Sequence, residues 1–272
     1  MRERTRVHVD FSSHGSDRNR VSATGENGLS FPLGRGVVVI KRDVNGLVAF
    51  DKPAGVLSHP NRPADEPRSL LTARYVEDGE FFEWKTSTGV PHRLWLLNRL
   101  DSATSGVILG SLNAALADEI RAHFKRKQVR KVYQALVFGS PHQSTELWRD
   151  LLAVEKRAGK IRTVASAGNV PAECRMSLVR VSRGEPRLAV IRLEPRTGRS
   201  HQLRVQCAKR QLPIVGDQTY GDFGRNRAFA KAAGTKRLFL HSAETAFDYE
   251  FAGGHHTFLA RAPLPAEFEK FL

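Results

Sequence analysis

Cysteine is nearly absent from this sequence, since Cys174 and Cys207 are the only two among 272 residues. A disulfide framework is therefore excluded, and so sparse a use of cysteine indicates a reducing compartment, the cytoplasm. No Cys-x-x-Cys pair occurs, which argues against a structural zinc site. No run reaches the roughly 18 apolar residues that a membrane helix needs. The sequence thus predicts a cytoplasmic protein without a membrane segment or a metal.

Acidic residues are outnumbered in the chain. There are 28 Asp and Glu against 43 Lys and Arg, which gives a formal net charge of +15. Such an excess of positive charge predicts a polyanionic partner, most simply a nucleic acid. A DNA-reading helix motif is not recognisable, and no heptad pattern indicates association between copies. We therefore expect a monomer.

The first 33 residues differ in composition from the rest. They are polar, carry small turn-forming residues and have few large apolar side chains. This composition predicts a flexible basic N-terminal arm over residues 1–33 and a single folded domain over residues 34–272. Two interpretations of the arm stay open, a solvated terminus and a basic tail that contacts RNA.

Strand patterns dominate the folded part. Alternation and short apolar runs predict strands, and apolar spacing of three to four predicts helices. Strands are expected over residues 37–40, 46–50, 107–109, 129–138, 172–181, 188–194 and 237–241. Helices are expected over residues 69–76, 113–126 and 200–210, and an irregular excursion over 78–91. Because strands and helices do not alternate regularly, the fold class is α+β with a mixed or antiparallel sheet.

The segment Arg99-Leu100-Asp101-Ser102-Ala103-Thr104-Ser105-Gly106 is the first candidate site. It places one carboxylate beside an arginine and follows it with small residues that permit a bulky ligand to approach the backbone. A carboxylate kept ionised by a neighbouring cation can act as a nucleophile. From this segment alone, an aspartate that closes a turn before a strand is an equally good interpretation.

The segment Arg196-Thr197-Gly198-Arg199-Ser200-His201-Gln202-Leu203-Arg204 is the second. Ser200 suits a helix N-cap, and in the helix that follows His201 and Arg204 share a face away from Leu203. One arginine is thus expected to point toward a site. The competing interpretation is a solvated basic helix.

Two further features stand on either side of residue 129. Tyr133, in Lys131-Val132-Tyr133-Gln134-Ala135, is either a packed core residue or a ring that stacks on a base. The preceding basic run has no acid, and four of its cations are candidates for phosphate contacts: Lys125, Arg126, Lys127 and Arg130.

Taken together, these segments resemble the RluA-type family of RNA pseudouridine synthases. The resemblance covers residues 46 to 250 and includes three further motifs, Asp51-Lys52-Pro53-Ala54-Gly55, Pro213-Ile214-Val215-Gly216-Asp217 and Leu240-His241-Ser242. It implies a mixed, mostly antiparallel central sheet with a cleft in which RNA lies. It also implies conversion of uridine in structured RNA, ribosomal or transfer RNA, to pseudouridine without metal or organic cofactor.

The resemblance also implies roles for individual residues. Asp101 would be the catalytic aspartate, Tyr133 would stack on the flipped base, and Arg204 would pair with Asp101. Arg99 would displace the target nucleotide, and Asn98 stands where the family usually has histidine. The residues expected to contact RNA are Arg99, Asn98, Thr104, Ser105, Arg196, Arg199, His201, Gln202, Lys125, Arg126, Lys127, Arg130 and Lys131. The alternative is an RNA-binding or RNA-folding module of the same fold that has lost catalysis.

Overall fold

The computed structural model describes residues 29–157, 160–164 and 168–271. Most of the predicted N-terminal arm therefore lies outside the described residues. In the described part, no helix is both long and apolar enough to cross a membrane.

A single sheet of thirteen strands forms the centre of the fold. The strands, in chain order, are β1 (Val38–Arg42), β2 (Leu47–Lys52), β3 (Arg74–Val76), β4 (Phe81–Lys85), β5 (Pro91–Leu96), β6 (Ser105–Ser111), β7 (Arg130–Phe138), β8 (Thr145–Arg157), β9 (Lys160–Val164), β10 (Val170–Val181), β11 (Leu188–Pro195), β12 (Leu240–Phe251) and β13 (Gly254–Arg261). The helices are a 3-10 turn (Pro63–Arg68), α1 (Ala114–Lys125), α2 (Gln202–Lys209), α3 (Phe223–Ala233) and α4 (Ala266–Glu269). This confirms the α+β class.

Within the described residues, every pairing between these strands is antiparallel except the one between β6 and β12. That seam consists of two residue pairs, His241 with Ser105 and Ser242 with Gly106. On one side of it lie β1 to β6, and on the other lie β7 to β13. The sheet is therefore mixed and mostly antiparallel, as expected, and the seam brings the start of β6 next to β12, whose other neighbour is β7.

Glycine is required at position 106 by the close approach at this seam. Gly106 has φ +109°, and a Cβ there would lie 2.1 Å from the Ser242 carbonyl oxygen. A side chain at this position would push β12 away from β6, because real Cβ contacts are never so short. Gly106 thus permits the close packing of β6 and β12, in addition to the approach of a ligand to the backbone that the small residues of this segment permit.

Four sequence expectations need correction. Residues 69–76 do not form a helix, since Ser69 and its neighbours follow a 3-10 turn and residues 74–76 form β3. The excursion at 78–91 contains β4, whose Phe82 packs into the core. The last predicted strand begins at Leu240 and runs on to Phe251. Ser200 is not the cap of α2, because His201 occupies that position in a left-handed conformation with φ +55°.

The other predicted elements are confirmed within a few residues. The helix at 113–126 is α1, and the side chain of Asn113 caps it by accepting from the Leu116 N–H at 3.2 Å. The turn between β1 and β2 is held by Asp43, whose Oδ1 accepts from the Asn45 and Leu47 N–H groups. Local hydrogen bonds of this kind follow from residue type, which is why the sequence locates them.

Candidate active site

A cleft of about 570 Å³ opens at the seam between the two halves of the sheet. It is lined by residues from the turn before β6, from β7, from the loop after β11 and from α2, including Asp101, Tyr133, Lys131 and Arg204. Three segments that lie far apart in the chain and were singled out from the sequence therefore meet in one place.

A tight turn presents Asp101 to the cleft. The Thr104 N–H donates to the Asp101 carbonyl at 3.0 Å, which closes a four-residue turn directly before β6. The carboxylate is 29% exposed, so a substrate can reach it. The structural and the catalytic interpretations of this segment are compatible, since the turn is what aims the carboxylate.

Neighbouring loops fix this turn on both sides. The buried Ser58 hydroxyl donates to the Leu100 carbonyl at 2.8 Å and accepts from the Leu100 N–H at 2.9 Å. The Gly55 N–H donates to the Ser102 carbonyl at 2.7 Å. Asp101 stands between these two anchors, so little freedom is left in its backbone.

Lys52 adds a third anchor from inside the protein. Its fully buried ammonium donates to the carbonyls of Pro53, Val56 and Ser102 at 2.7–3.1 Å. Burial lowers the pKa of Lys52 to about 7, against the opposing influence of Asp101 and Asp51. Lys52 was part of a motif in the sequence, but nothing in its spacing revealed that it would tie two loops together beneath Asp101.

Two side chains of the α2 region, an arginine and a histidine, face the Asp101 carboxylate. The Arg204 Nη1 donates to Oδ2 at 3.0 Å, and the His201 Nε2 lies 3.7 Å from Oδ1. This confirms the expected pairing of Arg204 with Asp101. Because Arg204 binds only one carboxylate oxygen directly, the other oxygen is the one better placed to meet a substrate.

Asp217 holds Arg204 from the opposite side. Its two oxygens accept from Arg204 Nε and Nη2, both at 2.8 Å, and Oδ1 also accepts from the N–H groups of Thr219 and Tyr220. Burial raises the pKa of Asp217, but the hydrogen bonds from Arg204 and the backbone outweigh it and leave the pKa below the ordinary value. A bidentate arginine–carboxylate pair fixes orientation as well as charge.

His201 and Tyr220 form a second support. The Tyr220 hydroxyl hydrogen-bonds His201 Nδ1 at 2.9 Å, and the Arg204 guanidinium lies 5.1 Å from the Tyr220 ring centroid. The left-handed backbone of His201 is costly for a residue with a Cβ. It turns the imidazole toward Asp101 at the start of α2. His201 was predicted to contact RNA, and the structure places it beside the carboxylate.

The side chain of Gln202 fixes the loop that precedes α2 through hydrogen bonds. Its buried side-chain carbonyl accepts from the Thr197 hydroxyl at 2.7 Å and from the Arg199 N–H at 3.1 Å. Its amide donates to the Glu173 carbonyl at 3.1 Å. The predicted contact between Gln202 and RNA stays a prediction, but the structure gives this side chain internal partners that fix the loop shape.

Three other residues predicted to contact RNA are tied to the protein framework. The half-buried Asn98 accepts the Leu109 N–H at 2.8 Å. Thr104 is buried at the cleft wall. The Ser105 hydroxyl accepts from Arg237 Nη2 at 2.7 Å and hydrogen-bonds His241 Nδ1 at 2.9 Å. The hydrogen bonds of Asn98 and Ser105 and the burial of Thr104 account for the positions of the three side chains without any ligand.

The basic residues predicted to bind phosphates divide into two groups. Four carry internal partners: Arg126 with Glu119, Arg130 with Glu244, Arg196 with Glu173, and Arg199 with the Pro171 carbonyl. Four others form no side-chain hydrogen bond or ion pair with any described residue: Arg99, Lys125, Lys127 and Lys131. Of these, Arg99 and Lys131 line the cleft. The second group is the better placed to bind a polyanion.

Burial shifts the pKa of two other groups near the cleft. It raises the pKa of Tyr133 to about 12, further above neutral pH than the ordinary value. It lowers the pKa of His241 to about 4, so this imidazole is neutral near pH 7. The His241 Nδ1 and the Ser105 hydroxyl are hydrogen-bonded at 2.9 Å, and the His241 Nε2 lies 3.4 Å from the Ala262 carbonyl oxygen.

The stability of the protein should consequently depend on His241. An unfolded histidine binds a proton near pH 6.5 and the folded one only near pH 4. The stabilisation that comes from the neutral His241 is therefore fully present above pH 6.5. As the pH falls toward 4, it is lost, and the free energy of unfolding decreases by about 3 kcal/mol in total. Urea unfolding at pH 7.0, 5.5 and 4.5 measures it. The variant His241→Gln should show a smaller decline, and an equal decline in both proteins would contradict this assignment.

The cleft thus brings together a carboxylate, its partner Arg204, an aromatic ring and two cations, Arg99 and Lys131, that form no side-chain hydrogen bond or ion pair with any described residue, and this arrangement is suited to an anionic polymer. The family model described as "RNA pseudouridylate synthase" matches residues 46–209. The chain belongs to this family and is an RNA pseudouridine synthase, an isomerase that converts uridine in RNA to pseudouridine.

Known proteins agree with this assignment. The tRNA pseudouridine synthase C of Vibrio cholerae is 30% identical over 213 residues, covering 75% of this chain and 83% of that protein. The protein of the same name from Pasteurella multocida is 31% identical over 214 residues, covering 75% and 82%. The structure of human RNA Pseudouridylate Synthase Domain Containing 4 superposes with a TM-score of 0.59 at 22% identity, covering 85% of this chain and 90% of that one, and it shows the fold.

Proposed function

We propose that this enzyme acts on uridine in transfer RNA and that Asp101 is its catalytic carboxylate. The single observation that carries the proposal is the placement of Asp101 in the cleft, with Arg204 on Oδ2 and His201 near Oδ1. The choice of transfer RNA rests on the relatives, two of which are named tRNA pseudouridine synthase C. Ribosomal RNA is the other substrate to be tested.

The reaction leaves the atoms of the nucleotide unchanged in number. The bond from N1 of uracil to C1′ of the ribose breaks, the base turns, and C5 joins C1′. The proton on C5 is released, and N1 gains one. A uridine must leave its stack before an enzyme can reach both C1′ and C5. A cleft deep enough for the nucleotide accommodates it, and a carboxylate at the bottom of the cleft can act on it.

Asp101 can serve this reaction by either of two routes. An ionised carboxylate can attack the nucleotide to form an adduct, or it can remove a sugar proton to give a glycal. Both routes need the same free carboxylate oxygen. In this structure the His201 Nε2 lies 3.7 Å from Oδ1, beyond hydrogen-bond distance, whereas Oδ2 accepts a hydrogen bond from Arg204 at 3.0 Å. We therefore assign the reacting position to Oδ1.

The remaining cleft residues would bind the substrate. We assign Tyr133 to stacking against the flipped base, because its half-buried ring lines the cleft on β7. Arg99 is exposed at the rim and would occupy the space that the base leaves. Lys131 is half-buried in the cleft, where burial lowers its pKa, and a phosphate would supply the partner that it lacks among the described residues.

Release of tritium tests the function directly. Transfer RNA labelled with tritium at C5 of uridine should lose tritium to water when the protein is added, because C5 exchanges its hydrogen for C1′. Ribosomal RNA labelled in the same way should lose none. Release from ribosomal RNA alone would overturn the proposed substrate, and release from neither RNA would overturn the activity.

Two replacements of Tyr133 should distinguish the contribution of its ring to RNA binding from that of its hydroxyl. The variant Tyr133→Leu removes a stacking contact worth about 1–3 kcal/mol, so the KM for transfer RNA should rise by roughly 5- to 150-fold. The variant Tyr133→Phe keeps the ring and should retain a KM within about threefold of the original protein. Steady-state tritium release measures both, and a KM unchanged in Tyr133→Leu would contradict stacking.

Three further properties belong to this proposal. Residues 34–272 are proposed to act as one catalytic domain, since a single sheet runs through the described part of them. The protein is proposed to work as a monomer, which sedimentation can test. The cytoplasm is the proposed location, because Cys174 and Cys207 are free, buried thiols.

A further inference from the structure

A second cavity, of about 950 Å³, shares no residue with the catalytic cleft. The loop between β10 and β11 forms one wall, α3 forms another, and Phe271 closes one end. Its volume is in the range of sites that hold nucleotide-sized ligands. It reaches Phe138, five residues along β7 from Tyr133, which corresponds to roughly 16 Å at the rise of a strand.

The two cavities lie on opposite faces of β7. Successive side chains of a strand point to alternate faces. Phe138 is five positions after Tyr133, so their side chains point to opposite faces of β7. Leu188 pairs with Phe138 on the neighbouring strand and lines the same second cavity. The second cavity is therefore separate from the catalytic cleft and cannot be a continuation of it.

The floor of this cavity is apolar and aromatic. Phe138 and Phe229 are buried beneath it, with their ring centroids 6.1 Å apart. The half-buried ring of Phe271 lies 5.0 Å from Phe229. Ala228 and Ala232 of α3 are exposed at the wall. A flat apolar group of a ligand would bury surface here without meeting an unpaired polar group.

The rim, by contrast, carries unpaired positive charge. Arg180, Arg183 and Lys270 form no side-chain hydrogen bond or ion pair with any residue that the structure describes. Arg225 lies over the Phe138 ring at 4.4 Å and has no carboxylate partner there. The one acidic residue at the cavity is Glu185, which accepts from the Arg187 N–H at 3.1 Å. Four cations thus surround the opening, against one acid.

Several arginines elsewhere in the described chain have acidic partners, whereas others, such as Arg35 and Arg99, form no side-chain hydrogen bond or ion pair with a described residue. Arg130 pairs with Glu244, Arg196 with Glu173 and Arg210 with Asp150. A set of cations left without acids around an apolar cavity is complementary to a ligand that has a flat apolar part and flanking negative charges. A nucleotide within an RNA chain has this composition, because a base stacks on apolar surface and phosphates bind arginine and lysine.

We propose that this cavity is a second RNA site, in which one unpaired nucleotide other than the target places its base against the half-buried ring of Phe271 and the exposed wall formed by Ala228 and Ala232, above the buried rings of Phe138 and Phe229. Arg183, Arg225 and Lys270 then bind the flanking phosphates. The proposal rests on the RNA-modifying activity of the family and goes beyond it, since the site contributes to the affinity for RNA and not to the reaction at Asp101.

Charge reversal at the rim is the first test. In Arg183→Glu/Lys270→Glu, the Kd for unfractionated transfer RNA should rise by about tenfold or more at 0.15 M salt, and the slope of log Kd against log salt should fall by roughly two. The control Arg35→Glu/Lys85→Glu makes the same change in net charge at two exposed cations that line neither cavity. Equal effects in both double variants would overturn the proposal.

Filling the cavity is the second test, and it leaves every cation in place. In Ala232→Trp an indole would occupy the space of the base, so the Kd should rise several-fold while the thermal midpoint is unchanged. Ala115→Trp, at an exposed position of α1, is the matched control. A Kd equal to that of the control would overturn insertion of a base. Crosslinks from 4-thiouridine-substituted transfer RNA should map to the β10–β11 loop or to α3, and crosslinks confined to the cleft would contradict the site.

The same measurements keep this proposal separate from the proposed function. Tritium release from transfer RNA reports the activity at Asp101, whereas Kd and crosslinking report the second site. If the transfer RNA is not converted, the assignment of the substrate fails. If it is converted and the rim variants bind like their controls, only the second site fails.

Discussion

The variant Asp101→Asn is expected to abolish pseudouridine formation, with a fall in turnover of roughly 10^4-fold or more. An amide has nearly the shape of a carboxylate but can neither attack the nucleotide nor accept a sugar proton. Its oxygen can still accept the hydrogen bond from Arg204 Nη1, so the cleft should keep its shape. Tritium release under single-turnover conditions measures the loss, and fluorescence anisotropy measures binding of transfer RNA, which should stay within about threefold.

Asp118→Asn provides the matched control for this substitution. Its carboxylate is 80% exposed on α1 and makes only a 3.6 Å pair with Arg121. This variant should release tritium at the original rate. Full turnover in Asp101→Asn would show that another group carries the chemistry, and loss of RNA binding together with turnover would show that Asp101 acts in substrate binding.

The variant Asp217→Asn is expected to lower kcat by about 100-fold with little change in the KM for RNA. Asp217 does not line the cleft, so it acts by positioning Arg204. It accepts hydrogen bonds from Arg204 Nε and Nη2, both at 2.8 Å. An amide can replace only one of these two acceptors. The guanidinium would then be free to rotate away from Asp101, and a misplacement of about 1 Å at a reacting group costs on the order of 100-fold.

Loss of stability alone could mimic this result, and Asp150→Asn distinguishes the two explanations. Asp150 is likewise a buried carboxylate that supports α2, through Gln206, Lys209 and Arg210. Each substitution is expected to lower the free energy of unfolding by about 3 kcal/mol, as urea unfolding can show. Only Asp217→Asn should lower kcat at a temperature where both variants are folded. Equal losses of kcat would assign Asp217 a purely structural role.

The motifs of the sequence contain the residues that meet in the cleft. Asp101, Tyr133 and Arg204 are brought together in one cleft as the motifs required. These residues belong to short segments whose chemistry is readable in isolation, and the pairing of Arg204 with Asp101 followed from the family pattern. The α+β class was readable as well, because strand alternation and the N-cap of α1 are local properties.

The supports of the site could not be predicted in this way. Lys52, Ser58 and Asp217 act through carbonyls and side chains far away in the sequence, and their partners become visible only when the chain is folded. The same holds for Ser105, whose hydroxyl meets His241 across the seam. A polar residue beside a motif can bind a substrate or the framework, and its spacing does not separate the two.

The errors in secondary structure have a similar origin. The β4 strand was overlooked because Gly79 and Gly89 at its ends suggested one continuous irregular segment, although its Phe82 is buried in the core. The segment at 69–76 was predicted to be a helix, but its Leu70 and Leu71 are both fully buried beside a 3-10 turn, and residues 74–76 form β3. Tertiary burial decided both cases against local propensity.

The seam between β6 and β12 has a consequence for the order in which the protein folds. Ser105 and His241 are 136 residues apart in the chain, and only two residue pairs join the strands there. Contacts of such long sequence separation are costly in chain entropy and tend to form after local hairpins. The hairpin of β12 with β13 should therefore be protected from hydrogen exchange early during refolding and the Gly106 amide late, so that the catalytic cleft is among the last parts of the molecule to assemble.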